Sequence, residues 1–287
     1  AVPRIPFRVV TSGPEPIRGD LRLPPPGHAA PAVRGAAVVV LHGFKGFKDW
    51  GFFPHACETL ATHLACPVVS FNVRGSGIGP DLGSFSRPEG FAANTFGQEV
   101  EDLEAVVGGL KAGRLGAATV EPAERITLLG HSRGAVATAL VAADEPTVRA
   151  LATWGGLSDP GRYRALFPAA VARRGWAEIR NARTGEVLRL DRALVDELDE
   201  ADGRLDPLAA LARTRVPTLV LHGAADASVP LADARALAVA GGGAAEILPG
   251  AGHTFEAVHP FAGSTPALER ALARTIAHFR PHIVPED

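Results

Sequence analysis

A serine stands between two glycines in the run Gly130-His131-Ser132-Arg133-Gly134, which matches the pattern G-x-S-x-G. An apolar run at 126–129 precedes the pattern, and a small-residue helical run at 135–140 follows it. A strand, a sharp turn and a helix in this order expose a serine hydroxyl above a sheet. Side chains at the two glycine positions would collide with neighbouring backbone. We therefore predict that Ser132 is a nucleophile for acyl transfer.

A serine hydroxyl needs a base to take its proton, and the sequence favours His253 for this role. His253 ends the run Gly250-Ala251-Gly252-His253, directly after the last strand candidate. A loop in that place can bring the imidazole over Ser132. His259, six residues later and beside Pro260, is the alternative base.

A carboxylate must orient the imidazole and stabilise its charged form, and Asp226 is the best candidate. It follows a strand candidate and the pair His222-Gly223. It also gives the chain order Ser, Asp, His. Asp159, which follows the preceding strand candidate, is the alternative acid, and a purely structural role for Asp226 stays open.

Two backbone amides are candidates for the oxyanion hole of such a reaction. The Phe44 N–H lies in the loop after the first long strand candidate, and the Arg133 N–H directly follows the nucleophile. We expect the Arg133 side chain to form an ion pair with Glu99, Glu101 or Asp102 rather than to contact a substrate.

Other chemistry finds little support in the sequence. The run from Gly75 to Pro80 resembles a dinucleotide fingerprint, but Pro80 replaces the third glycine and no helix begins there. We interpret it as a loop that lines the mouth of the site. Motifs for zinc or for nucleotide phosphates are lacking, so we expect no metal and no cofactor.

The elements that must position these residues alternate between apolar runs and amphipathic stretches, which is typical of the α/β class. The predicted strands are 7–11, 16–23, 36–41, 67–72, 125–129, 148–153, 218–221 and 245–248. The predicted helices are 54–65, 95–113, 133–143, 231–240 and 266–279. The first two strands form an antiparallel pair, so we expect a mostly parallel eight-stranded sheet with helices on both faces.

The stretch at about 157–210 is too long for an ordinary crossover and predicts a lid inserted into a single domain spanning 1–287. Its sequence suggests a hairpin at 176–190, an acidic helix at 192–201 and a short helix from Asp206. Arginines concentrate in its first half and acids in its second. This split favours a solvated, mutually paired surface over selection of acidic substrates.

Composition limits the possible partners and compartment. The net charge is −2, with 29 basic and 31 acidic residues, so nucleic acid is an unexpected partner. No apolar stretch is long enough to cross a bilayer, and no signal peptide is visible, so we expect no membrane contact and a cytoplasmic location. Cys57 and Cys66 are too few for a disulfide framework and are expected to be reduced thiols. The sequence leaves a homo-oligomer open.

Taken together, these motifs resemble the α/β-hydrolase superfamily over nearly the whole chain, and within it the dienelactone-hydrolase and prolyl-oligopeptidase-like bacterial hydrolases. The matching runs are Leu41-His42-Gly43-Phe44, Asn72-Val73-Arg74-Gly75-Ser76-Gly77, the serine motif, His222-Gly223 with Asp226, and Gly252-His253. The resemblance implies an α/β-hydrolase fold and a Ser-His-Asp triad.

Two departures from these relatives narrow the expected activity. Dienelactone hydrolases proper use a cysteine nucleophile, whereas this chain has Ser132. Prolyl-oligopeptidase relatives carry a propeller, for which no room exists before Gly35. We therefore expect a carboxylesterase acting on small-molecule esters. Amide, peptide or thioester hydrolysis is the alternative, and a catalytically silent binding protein is a further one.

Overall fold

A computed structural model describes residues 1–13, 15–26, 33–181 and 185–284. Its strands are β1 (Arg4–Val9), β2 (Ile17–Arg22), β3 (Ala36–Leu41), β4 (Val68–Asn72), β5 (Arg114–Leu115), β6 (Ala118–Thr119), β7 (Arg125–His131), β8 (Val148–Trp154), β9 (Trp176–Arg180), β10 (Val187–Asp191), β11 (Thr218–Gly223) and β12 (Glu246–Leu248). Eight of them form the central sheet, in the order β1-β2-β4-β3-β7-β8-β11-β12. The predicted α/β class and eight-stranded sheet are thus confirmed.

Most of the sheet is parallel, as expected from its apolar runs. Strands β1, β2 and β4 pair antiparallel, and every pairing from β4 through β12 is parallel. All six residues of β3 are buried, as is typical of a central strand covered on both faces. The carboxyl ends of the parallel strands therefore meet at one edge, where binding sites of such sheets lie.

Helices cover both faces of this sheet. They are α1 (Phe53–Leu64), α2 (Pro88–Ala92), α3 (Phe96–Lys111), α4 (Gly134–Asp144), α5 (Ala169–Arg174), α6 (Ala193–Glu200), α7 (Pro207–Arg213), α8 (Leu231–Ala240) and α9 (Pro266–Ile283). Residues of α3, α4, α7 and α8 form one core with the sheet, and residues of α1 and α9 form the other. The five predicted helices are all present; α8 has the predicted bounds, and the ends of the other four differ by a few residues. The short α2 and α5 were not predicted.

Side-chain caps fix where several of these helices begin. Thr95 accepts a hydrogen bond from the Gln98 N–H at the start of α3, and Thr265 accepts one from the Leu268 N–H at the start of α9. Such caps replace the backbone acceptors that the first turn of a helix lacks.

The 157–210 segment contains a 3-10 helix (Pro160–Leu166), α5, the antiparallel pair β9 and β10, and α6, and α7 begins within it. The predicted hairpin and both predicted helices are found, while position 184 of the hairpin turn lies outside the described residues. The segment contributes Leu157, Leu190 and Leu194 to a third core with Phe96 of α3 and Val136 of α4. Apolar packing on α3 and α4 thus holds the segment over the carboxyl edge of the sheet.

Both cysteines are buried and free, in agreement with the expected thiols. Burial raises the pKa of Cys66 to about 12. Across the described ranges, no helix has both the length and the apolar character needed to cross a bilayer.

Candidate active site

Ser132 adopts a left-handed backbone conformation, with φ of +56° between the end of β7 and the start of α4. Its N–H donates to the Trp154 carbonyl (2.9 Å), and its own carbonyl accepts from the Leu157 N–H (3.0 Å). For a residue with a side chain, this conformation raises the conformational energy by roughly 1–2 kcal/mol. The flanking strand and helix therefore hold the serine in a strained turn, which is common at functional sites.

Three glycines make room for this turn. A Cβ at Gly130 would lie 2.4 Å from Thr138 Oγ1, and a Cβ at Gly134 would lie 2.6 Å from the His42 carbonyl oxygen. The predicted collisions at both motif glycines are thereby confirmed. On the facing loop, a Cβ at Gly43 would lie 2.6 Å from the Cβ of Ser132. Glycine is thus required on both sides of the serine.

His253 and Asp226 form a hydrogen-bonded pair at the same edge, with His253 Nδ1 2.7 Å from Asp226 Oδ2. The other carboxylate oxygen accepts from the Ser228 N–H (2.8 Å) and the Val229 N–H (2.9 Å). Burial alone would raise the pKa of Asp226, but hydrogen bonds from His253 and from these amides hold that pKa below its usual value. The carboxylate is therefore charged at neutral pH and faces the imidazole.

The alternative base, His259, and the alternative acid, Asp159, have other hydrogen-bond partners in the structure. His259 Nδ1 accepts from the Gly51 N–H (2.9 Å), and its ring stacks on Trp50, although it reaches the same cavity. Asp159 is exposed, and its Oδ1 accepts from the Gly161 N–H (2.7 Å) at the start of the 3-10 helix. The structure thus brings Asp226, rather than Asp159, to His253.

Two further histidines support this pair. His131 is fully buried, and burial lowers its pKa to about 3, so the ring is neutral and its Nε2 donates to the His253 carbonyl (3.0 Å). His222 Nε2 lies 2.8 Å from the Val229 carbonyl oxygen and 3.3 Å from Asp226 Oδ2. Both neighbours are acceptors, so this nitrogen carries the hydrogen. His131 therefore holds the His253 loop, and His222 holds the backbone at Val229, whose N–H contacts Asp226.

The two amides predicted for an oxyanion hole belong to Arg133, directly after Ser132, and to Phe44, directly after Gly43, which packs against Ser132. Neither amide donates to a backbone carbonyl within the described part of the chain. Burial lowers the pKa of His42 to about 4, so its ring is neutral. Its Nδ1 donates to the Gly43 carbonyl (2.9 Å), and its Nε2 accepts from the Val73 N–H (3.3 Å). These two bonds fix the backbone that presents the Phe44 amide.

The Arg133 side chain is buried and pairs with Glu99, whose Oε1 lies 3.0 Å from Arg133 Nε. Of the three predicted partners, Glu99 is therefore confirmed, while Glu101 and Asp102 pair with Arg74. The guanidinium also lies 4.1 Å from the centre of the Phe96 ring and 5.1 Å from the rings of Phe44 and Tyr163. Cation–π contacts of this kind tie the elbow to the neighbouring loops.

A cavity of about 840 Å³ opens at this edge, within the usual range for small-molecule sites. Ser132, Arg133, Phe44 and His253 line it, and the 157–210 segment contributes Leu157, Arg162, Tyr163, Leu166 and Asn181. Among the described contacts no hydrogen bond joins Ser132 Oγ to His253. Catalytic hydrogen bonds often tighten only when substrate is present.

A second cavity, of about 680 Å³, lies near the amino ends of β7 and β8. Its lining mixes cationic and anionic side chains, among them Arg125, Glu145 and Arg215. None of the three residues predicted as a triad is in its described lining.

The sequence reasoning missed one residue that the pair depends on. Gly155 follows β8 with φ of +53°, and a Cβ there would lie 3.1 Å from His253 Nδ1 and 3.2 Å from Asp226 Oδ2. The signal was the pair Gly155-Gly156 at the carboxyl end of a predicted strand. The loop Gly75–Pro80, interpreted as the mouth of the site, is absent from the described lining of the cavity.

Comparison with known proteins gives one family match. The model of a family described as the alpha/beta hydrolase family matches residues 38–267. A search of functionally curated proteins finds no match. Among solved structures, the chain is similar to an esterase domain from Rhodothermus marinus, with 22% identity, a TM-score of 0.66 and 99% of both chains covered.

Two other similar structures have lower identity. Est1E from Butyrivibrio proteoclasticus shows 16% identity and a TM-score of 0.70, with 97% of this chain and 98% of that chain covered. A proposed dienelactone hydrolase from Klebsiella pneumoniae shows 18% identity and a TM-score of 0.58, with the same shares covered. At these identities the likeness concerns the fold.

Proposed function

This chain belongs to the α/β hydrolase family, and we propose that it is a serine carboxylesterase that hydrolyses small-molecule esters through an acyl-enzyme. The observation that carries the proposal is the 2.7 Å contact of His253 with Asp226 at the cavity that Ser132 also lines. The similarity to an esterase domain supports it at the level of fold. On this proposal the chain is a single domain with the 157–210 segment as its lid.

The proposed reaction begins with attack of Ser132 Oγ on the ester carbonyl carbon while His253 Nε2 takes the hydroxyl proton. Asp226 holds the opposite ring nitrogen and stabilises the imidazolium. The negative oxygen of the tetrahedral intermediate accepts hydrogen bonds from the Phe44 and Arg133 amides. When the intermediate collapses, the bond to the alcohol oxygen breaks, and His253 returns its proton to that oxygen.

Water then completes the cycle. His253 takes a proton from a water molecule, whose oxygen attacks the acyl carbon of the ester on Ser132. Collapse of the second intermediate breaks the bond to Ser132 Oγ, which regains its proton from His253. The products are one carboxylic acid and one alcohol for each ester and water consumed, so every proton is accounted for.

Labelling with a fluorophosphonate tests the nucleophile. The wild type should gain the mass of one adduct, and Ser132→Ala should gain none. Adduct formation on Ser132→Ala would refute the assigned residue, and no adduct on the wild type would indicate a silent binding protein.

A substrate panel tests the ester preference. p-Nitrophenyl esters of varied acyl length should be cleaved, and aminoacyl anilides should be cleaved far more slowly. Cleavage of the anilides with inert esters would favour a peptidase or amidase instead.

Substitutions at the other two positions test their roles, with Asp159→Asn as the matched control for Asp226→Asn. We expect His253→Ala and Asp226→Asn each to lower kcat by several orders of magnitude while the fold is retained. Asp159→Asn should leave kcat unchanged, because Asp159 only caps a 3-10 helix. Unchanged turnover in the first two variants would redirect the roles to His259 and Asp159.

A further inference from the structure

The cavity beside Ser132 is lined by several residues that have cationic side chains. Three cationic side chains, Lys45, Arg133 and Arg162, belong to residues that line it. No aspartate or glutamate is among the described residues of its lining. Since the chain as a whole has more acidic than basic residues, this distribution is specific to the cavity.

Arg162 is the best placed of the three to meet a ligand. The Arg133 guanidinium is fully buried against Glu99, whereas the Arg162 side chain is 34% exposed. Arg162 Nη2 donates to Asp233 Oδ2 at 2.8 Å, and Asp233 is buried behind the cavity wall. Asp233 Oδ1 in turn accepts from the Ser158 N–H (2.8 Å) and the Ser158 hydroxyl (2.9 Å). The guanidinium is thus held in place by a fixed buried carboxylate.

Other arginines of the 157–210 segment behave differently. Arg164 pairs with Asp199, and Arg192 pairs with Asp196, in each case between largely exposed side chains. Neither arginine lines the cavity. These pairs are the solvated surface that the sequence led us to expect. Arg162 departs from that expectation because its partner Asp233 is buried and because Arg162 itself lines the cavity.

We propose that this cavity selects esters that carry a carboxylate, and that Arg162 is the residue that binds this carboxylate. A guanidinium has five N–H donors, and Asp233 takes the donor at Nη2. The planar group can offer its remaining donors to a second carboxylate, and a fixed guanidinium loses little entropy when it does so. The inference rests on the proposed esterase function, which it narrows to a class of substrate.

Matched ester pairs test the inference. On the acyl side, p-nitrophenyl hydrogen adipate is compared with p-nitrophenyl hexanoate, which has a methyl group in place of the distal carboxylate. On the alcohol side, 4-carboxyphenyl hexanoate is compared with phenyl hexanoate. The measured quantity is the ratio of kcat/KM within each pair, corrected for the rate without enzyme. Comparing this ratio between variants cancels the intrinsic reactivity of the esters.

In at least one pair, Arg162→Gln should lower the ratio by about tenfold or more, as expected for loss of a charged hydrogen bond. Arg164→Gln, two residues away on the same 3-10 helix, should leave both ratios unchanged. Because Arg162→Gln leaves Asp233 without its cation, the double variant Arg162→Gln with Asp233→Asn is measured as well and should show the same fall. Ratios unaffected by Arg162→Gln, or lowered equally by Arg164→Gln, would overturn the inference.

Binding to an inactive variant separates this inference from the proposed function. Ser132→Ala should bind methyl hydrogen adipate more tightly than methyl hexanoate in calorimetric titration, and adding Arg162→Gln should abolish the difference. Hydrolysis of hexanoate esters without any preference for the anionic ligand would refute only the carboxylate selection. Preferential binding without hydrolysis of any ester would refute only the esterase.

Discussion

Replacing Gly155 with alanine should slow catalysis without unfolding the protein. The new Cβ would lie 3.1 Å from His253 Nδ1 and 3.2 Å from Asp226 Oδ2, so these groups must move by a few tenths of an ångström. A misplacement of about 1 Å can cost roughly 10²-fold in rate. A shift of about half that distance should therefore lower kcat by about tenfold.

The same substitution has a second cost that must be separated from the first. Gly155 has φ of +53°, and alanine in this conformation is destabilised by about 1–2 kcal/mol. Gly242→Ala is the matched control, because Gly242 has φ of +76° at the end of α8 and a Cβ there would meet nothing within 4 Å. Both variants should lose similar stability, but only Gly155→Ala should lose turnover.

Urea unfolding and p-nitrophenyl ester kinetics at one pH measure the two effects. If Gly155→Ala and Gly242→Ala lose stability equally and both keep the wild-type kcat, the close approach of Gly155 to the His253–Asp226 pair has no catalytic consequence, and the reasoning is refuted.

Three other predictions follow from buried polar groups. His222→Leu removes the N–H that donates to the Val229 carbonyl beside Asp226 and should lower kcat about tenfold, with partial recovery in His222→Gln, which retains an N–H; equal kcat values in both variants would contradict this role. His42 and His131 are neutral in the fold, with pKa values of about 4 and about 3, and the unfolded chain binds protons below pH 6.5 that the fold excludes. Stability should therefore fall between pH 6.5 and pH 5, by about 2 kcal/mol for each histidine, and urea unfolding of His131→Gln should show a shallower dependence. Glu99→Gln leaves a buried guanidinium unpaired and should cost about 3–5 kcal/mol in urea unfolding, whereas Glu101→Gln, at an exposed side chain, should cost less than about 1 kcal/mol.

The central strands β3, β4, β7 and β8 were predictable because nearly all of their residues are buried, so that each forms an apolar run. The run at 36–41 and the helix at 231–240 have the same bounds in the structure. The short α2 and α5 contain five and six residues, too few for a periodic pattern to be visible. Element prediction thus succeeded where burial imposed a pattern on the sequence.

Chain order and loop position were enough to predict that Ser132, Asp226 and His253 lie at one edge of the sheet. The roles of Gly155, His222 and Arg162 depend on how separate loops pack, and single-residue patterns carry no such information. The sequence shows His222 only as part of the pair His222-Gly223, yet its Nε2 lies 3.3 Å from Asp226 Oδ2. Likewise, its buried partner Asp233 and its place in the cavity lining distinguish Arg162 from Arg164 and Arg192.

The two sides of the cavity come from different parts of the chain. The floor is built from loops at the ends of β3, β7, β11 and β12, whereas Leu157, Arg162, Tyr163 and Leu166 belong to one continuous segment that packs on α3 and α4. Substitutions of these four side chains can change the wall of the cavity while the Leu157 N–H that donates to the Ser132 carbonyl is retained. We therefore expect that changing the side chains of this one segment can alter substrate selectivity without changing the loops that carry Ser132, Asp226 and His253.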